Sequence, residues 1–255
     1  MMAMVLMLGA LTSCILQNED VKNVKNSGVL VVGITDYAPM DFEDENGNWI
    51  GFDADLANEF AESLGVKCRF VEIDWDNKVA ELNTREIDLI WNGMTASDKL
   101  GKEIDFSTAY AKNAQVVVVK SGSSFTKNDI GTMTIAVEKG SAGAAVADEI
   151  ATAKNVNKVT KQLDALSEVL AGTSDAALID LTMAQSVLGK GIYEGLELLE
   201  GAQYGEEVFA VGLRQGSDLK AALDAFLAEK YEDGTMATLS AKYDNAIVIN
   251  EAAFK

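Results

Sequence analysis

The chain has 255 residues, 48% hydrophobic and 24% charged, enough for one large or two small domains with a packed core. Lys and Arg total 21 against 40 Asp and Glu, a formal net charge of -19, and so acidic a surface repels phosphate backbones and excludes nucleic acid as a partner. No His occurs, which removes imidazole bases, Ser-His-Asp triads and His metal sites, and two Cys without His cannot build a zinc cluster. No metal or cofactor is expected, which leaves small-molecule binding, carboxylate or Lys chemistry, and protein interaction.

Residues 1–11 are almost wholly apolar. A bilayer span needs about 20 residues, so this run suits the apolar region of a secretory signal peptide, although no Lys or Arg precedes it. Leu11-Thr12-Ser13-Cys14 resembles the lipobox of bacterial lipoproteins. That implies a signal peptide over 1–13, a lipid on Cys14 and attachment to a membrane. Residues 15–27 are polar, Asn/Lys-rich and aperiodic, so 14–27 is expected to be the lipidated Cys and a flexible tether. Cys68 then stands alone in an apolar strand as an inert core thiol, with no disulfide.

From Gly28 onward strand and helix signals alternate. An apolar run predicts a strand over 29–34, and Asp44-Glu45-Asn46-Gly47-Asn48 is a hairpin signal. Asp53 reads as the N-cap of a helix carrying Leu56, Ala57, Phe60, Ala61 and Leu64 at helical spacing, ended by Gly65. A strand over 68–73, a short helix over 78–82 and a strand over 87–91 follow. The second half predicts strands over 116–120, 133–137, 176–179 and 208–213. Helices are predicted over 141–154, 163–170, 181–188, 217–231 and 235–243. This alternation predicts an α/β architecture of mostly parallel sheets flanked by helices.

Specific strings then carry a resemblance. Tyr37-Ala38-Pro39-Met40-Asp41-Phe42, Gly51-Phe52-Asp53-Ala54-Asp55-Leu56-Ala57, Asp88-Leu89-Ile90-Trp91-Asn92-Gly93-Met94-Thr95 and Asp105-Phe106-Ser107-Thr108-Ala109-Tyr110 occur in that order. Asp175-Ala176-Ala177-Leu178-Ile179-Asp180 and Gly234-Thr235-Met236 follow. In this order and spacing they resemble the extracytoplasmic solute-binding proteins of polar amino-acid ABC importers (bacterial solute-binding protein family 3), over about 28–243. The resemblance implies a two-lobed periplasmic-binding-protein type II fold with a double-crossover hinge near 111–115 and 208–210. Lobe 1 would comprise 28–112 and 209–255, and lobe 2 would comprise 113–208. It further implies a monomer that closes on a small polar solute, above all an amino acid, and delivers it to permease subunits outside the cytoplasm.

Tyr37 and Trp75 each follow a strand, on the ligand-facing side of lobe 1; the resemblance makes them aromatics that sandwich the ligand. Trp91 reads as core. Gly93 and Thr95 match positions that bind the ligand's polar end, and Asp180 matches the carboxylate for its ammonium. Asp180 is equally a helix N-cap candidate. Glu138-Lys139-Gly140-Ser141-Ala142-Gly143 joins a strand to a helix start whose free N–H groups can receive an anion, with Ser141 and Ala142 nearest the ligand. One position departs from the pattern. The family places an Arg five residues after Thr95 to clamp a carboxylate; here Leu100 stands there, preceded by Lys99, a point charge rather than a planar fork. Either Lys99, or the N–H groups of Thr95 and Ala142, hold a carboxylate, or the ligand has none and is an amine or another polar solute. Two other functions use the same fold: an enzyme of the cyclohexadienyl-dehydratase kind, with Asp36, Glu138 or Asp180 as general acid, and an extracellular sensory module.

Overall fold

A computed structural model describes residues 19–152 and 155–255; the apolar leader, Cys14 and the start of the expected tether lie outside them. The described chain opens with α1 (Asp20–Ser27), β1 (Val29–Ile34), the hairpin β2 (Phe42–Glu43) and β3 (Trp49–Ile50), and α2 (Phe52–Ser63). β4 (Lys67–Glu72), α3 (Lys78–Asn83), β5 (Leu89–Ile90), β6 (Asp105–Phe106) and β7 (Ala111–Lys120) follow. Next come β8 (Ile135–Glu138), α4 (Ala142–Ile150), β9 (Val156–Val159), α5 (Gln162–Ala171), β10 (Ala176–Asp180), α6 (Leu181–Val187) and β11 (Leu196–Phe209). β12 (Gly212–Leu213), α7 (Leu219–Glu232), α8 (Thr235–Lys242) and β13 (Val248–Ile249) close the chain.

Two sheets result, one per lobe. The first has the order β4-β1-β5-β12-β6 and the second β11-β7-β10-β8-β9, with β13 pairing β7. β1 runs parallel to β4 and β5, and β8 runs parallel to β9 and β10, because helical crossovers join them. The sheets are nonetheless mixed rather than mostly parallel. The chain leaves the first sheet along β7 and returns along β11, so these two pair antiparallel, with Asn113 opposite Glu207 and Ala111 opposite Phe209. β12 likewise pairs antiparallel with β5 and β6.

Strand β7 shows how the core is laid out. Val116 and Val118 face a cluster that continues through Ile179 and Met183 into Phe209, Trp91, Phe60 and Leu30. Val117 and Val119 face the opposite way, onto Ile135, Val137, Leu178 and Ala147. A run of four valines is what a strand buried on both faces requires, at about 1.5–3 kcal/mol per buried side chain. Trp91 is fully buried against Phe60 and Tyr110, as a core residue.

Two local expectations need correction. Asp53 is not the N-cap of α2; Gly51 is, at φ 133. A Cβ on Gly51 would stand 2.1 Å from the Met40 carbonyl oxygen, so the chain enters the helix too closely for any side chain, and Asp53 is swallowed into its first turn. The second correction concerns the tether. Residues 20–27 form α1, ended by Gly28 at φ 72. The Asp218 carboxylate accepts a hydrogen bond from the Val21 N–H (2.9 Å), and Val24 is buried in the core. Asp20, 1% exposed, pairs with Arg85 (2.5 Å) and Arg214 (3.1 Å). These partners lie 65 and 194 positions away, beyond any local pattern.

Burial pushes the Asp20 carboxyl up, but hydrogen bonds from Arg214, Arg85 and Ser217 and the charge of Arg214 outweigh it and hold the group below the usual range. Its stabilisation is therefore present above the unfolded pKa of about 3.9 and is lost as pH falls through the folded value. Asp20→Asn removes one of the two carboxylates that meet the buried Arg214, leaving Asp88 at 3.2 Å, and urea melts at pH 7 should show a loss of about 2 kcal/mol. The wild-type advantage should shrink in melts taken below about pH 4.

Candidate functional site

The carboxyl ends of the parallel strands of both sheets converge on one cleft, where open α/β sheets bind ligands. β1 runs into the loop of Thr35 and Tyr37, β4 into Trp75, and β5 into Asn92-Gly93-Met94-Thr95. From the other lobe, β8 ends at Glu138 before the start of α4, and β10 ends at Asp180. The space between them is a cavity of about 590 Å³. Tyr37, Trp75, Gly93, Thr95, Lys99, Leu100, Ser141, Ala142 and Asp180 all line it. Asp36 is not among the lining residues.

The lobes touch across the mouth. Lys78 Nζ donates to the carbonyl of Gly140 and to that of Trp75, each at 2.9 Å, and sits 4.6 Å from the centre of the Trp75 ring. Lys161 pairs with Glu72 at 2.5 Å. Gly140, at φ 66, lies so near Asp76 that a Cβ would stand 2.8 Å from its Oδ1. Burial lowers the Lys78 ammonium to about 8, against the pull of Glu138 and Asp76.

On the lobe 1 side, Tyr37 packs edge-on against Phe209 with ring centres 6.4 Å apart. Gly93 takes φ 54, and a Cβ there would meet the Tyr37 ring at 2.7 Å, so glycine lets the β5 loop lie directly on the aromatic. The Gly93 N–H and the Tyr110 hydroxyl both donate to Asp53 Oδ2 at 2.7 Å, which anchors the loop from beneath. Asn92 donates to Asp41 (2.7 Å) and to the Thr35 carbonyl (3.0 Å). Burial raises Asp53 to about 7, against hydrogen bonds from Tyr110 and Gly93, and burial together with the charge of Asp53 pushes Asp41 well up.

On the lobe 2 side, Ser141 is the N-cap of α4, its hydroxyl accepting from the Ala144 N–H at 3.0 Å. Asp180 stands at the head of α6 but makes no side-chain cap. Its Oδ1 accepts from Asn113 (2.5 Å) and Gln115 (2.6 Å), and its Oδ2 from Gln162 (2.5 Å). Burial, then the charge of Glu207, raises Asp180 to about 6 against these three amides. Glu138 is raised to about 8 by burial and by Asp180, with Lys78 opposing. The Tyr37 hydroxyl, 3% exposed, has no hydrogen bond of normal geometry, yet Asp180 is near enough to add to the upward push of burial.

Among the described residues, the polar groups gathered at the cleft include carboxylates, amides, hydroxyls and lysine ammonium groups. Asp180 is an anion held by neutral amides, with no cation bonded to it among the described residues, in a cavity that Tyr37 and Trp75 also line. A desolvated anion of this kind is costly until a cation arrives.

Comparison with known proteins identifies the family. The model for bacterial extracellular solute-binding proteins, family 3, matches residues 30–246. The chain belongs to that family. This family 3 solute-binding protein is 32% identical to the lysine/arginine/ornithine-binding periplasmic protein of Escherichia coli over 82% of this chain and 84% of the relative. It is 28% identical to the L-cystine-binding protein of the same organism, over 97% and 94%. A substrate-binding protein of an ABC uptake transporter from Streptococcus pneumoniae, solved with bound histidine, superposes with a TM-score of 0.82 at 30% identity, covering 90% of this chain and 97% of that one. The two-lobed fold is that of type II periplasmic binding proteins, and membership of the family places the protein outside the cytoplasm. No helix among the described residues is long and apolar enough to cross a membrane.

Sequence reasoning missed Asn113, Gln115, Gln162 and Glu207. Amides give no pattern by themselves, and Gly205-Glu206-Glu207 reads as a solvated charged turn. Strands β9 and β13 and most of β11 were missed as well, because they are short or charged and gain their pairing from β7 and β8.

Asp41, Asp53, Glu138 and Asp180 hold protons in the folded state at pH values where the unfolded chain, titrating near 4, has released them. Each therefore makes stability fall as pH rises through its folded value, with a slope of at most about 1.4 kcal/mol per pH unit. The ligand-free protein should melt at a higher temperature at pH 5.5 than at pH 8. Glu138→Gln should flatten that dependence between pH 7 and 8, as read by thermal melts across the range.

Proposed function

We propose that this protein captures a small polar solute bearing an ammonium or guanidinium group, an amino acid or a related amine, and hands it to the permease subunits of an ABC importer. Lobe 1, comprising 28–112 and 209–255, closes on lobe 2, comprising 113–208, about the β7–β11 pair. A lipid on Cys14 holds the protein at the outer face of the membrane. The observation that carries this reading is the buried Asp180 carboxylate, bonded by three amides and aimed into a cleft with no cation of its own bonded to it. A desolvated anion is costly until a cation arrives, so ligand binding and lobe closure are coupled. Tyr37 and Trp75 offer ring surface to the ligand's body, Gly93 and Thr95 contact its polar end, and Ser141 and Ala142 contribute from the start of α4. Lys99 and Leu100 lie at the rim, where a carboxylate clamp is absent.

A calorimetric screen of the twenty amino acids and simple amines tests this reading. At least one compound should bind, and Asp180→Asn should weaken it about 30-fold or more, the worth of a charge-assisted hydrogen bond of roughly 2 kcal/mol. Because Asp180 titrates near 6, affinity for a cation should hold above that pH and fall by up to about tenfold per pH unit below it. No binding by any compound of the screen, or an affinity indifferent to Asp180→Asn, would overturn the reading.

A further inference from the structure

Glu207 lines the cleft beside Thr95, the position that the family resemblance gives to the ligand's polar end. It lies on β11 at the crossover, paired in register with Asn113 of β7. Its Oε2 accepts three hydrogen bonds, from Thr95 Oγ1 (3.0 Å), Asn113 Nδ2 (3.0 Å) and Gln115 Nε2 (2.9 Å). The Thr95 hydroxyl is thus already bonded to a carboxylate that belongs to the protein. The Asn113 and Gln115 amides each serve both Glu207 Oε2 and Asp180 Oδ1, so the two carboxylates are one amide apart. Of the cations that line the cleft, Lys78 is bonded to two carbonyl groups, Lys158 pairs with Asp148, and Lys99 is exposed at the rim; Leu100 brings no charge. A further polar group lies beside these carboxylates. The buried Tyr37 hydroxyl faces the same cavity with no hydrogen bond of normal geometry.

Resting on the solute-capture reading above, we propose that Glu207 makes the cleft select organic cations that carry no carboxylate, amines or guanidines, over the corresponding amino acids. Asp180 and Glu207 together receive the cationic group, whose N–H donors also reach the Tyr37 oxygen. The carboxylate of a zwitterion would arrive beside Glu207 with Thr95 already bonded, no guanidinium to meet it and a like charge close by.

Pairs of ligands that differ only in the carboxylate test this. Calorimetry at pH 7.5 and fixed ionic strength would compare agmatine with L-arginine and 1,5-diaminopentane with L-lysine. In at least one pair the decarboxylated member should bind tenfold or more tighter. Glu207→Gln should shrink that ratio at least threefold by favouring the amino acid, and Glu207→Gln combined with Leu100→Arg should shrink it further. Equal or tighter binding of the amino acid in every pair that binds would overturn the inference and leave solute capture standing. A ratio unchanged in a folded Glu207→Gln variant would equally remove Glu207 as the determinant. If that variant does not fold, the wild-type ratio alone decides. Failure of both pairs while another solute of the wider screen binds would overturn the inference alone, and failure of every compound would overturn the solute-capture reading with it.

Discussion

An anion buried without a counter-ion is the constraint on which the rest of the cleft depends. Asp180 can remain in the interior only because neutral dipoles replace the water it has lost. Those dipoles come from three places: Asn113 and Gln115 on the crossover strand β7, and Gln162 at the first turn of α5. Gln162 also accepts from the Asp180 N–H at 2.9 Å, so the same side chain fixes the end of β10 and solvates its carboxylate. Amides solvate the charge without neutralising it.

The crossover makes this possible. β7 and β11 run antiparallel between the two sheets, and their inward residues serve both lobes at once. Asn113 reaches Asp180, Glu207 and, through its oxygen, the Thr182 N–H (3.2 Å) and hydroxyl (3.1 Å) at the start of α6. The hydrophobic cluster is continuous across the same pair, from Val116 and Val118 to Phe209 and Trp91. A close-packed interior transmits small displacements instead of absorbing them, so a shift of charge in the cleft is felt by the strands on which the lobes turn.

Beneath the lobe 1 side of the cleft lies a second, fully buried polar layer. Asp41 and Asp53 are fully buried, and they hold Asn92 and Gly93 in place. Keeping two carboxyl groups in the core is costly, and their raised titration shows that the fold prefers them protonated over dispensing with them. What they secure is a rigid loop at the end of β5, whose Gly93 lets Tyr37 lie flush against it.

Much of this was legible in the sequence, because it is encoded in short range. The strand and helix alternation, the turn at Asp44, the end of α2 at Gly65 and the core role of Trp91 follow from local spacing. So does the gathering of Tyr37, Trp75, Thr95 and Asp180 at strand ends. The absence of His and the -19 charge excluded whole classes of chemistry before any fold was known. Three things were decided only by the tertiary structure. Helix α1 exists because Asp20 meets Arg214 from across the molecule, and mixed sheets exist because the chain crosses between lobes and comes back. The pairing of Asp180 with Glu207 exists because two distant strands present their amides to both. The physical reason is common to all three: the desolvation that makes a buried charge costly, and the partners that offset it, arise only when residues far apart in the chain are brought into contact.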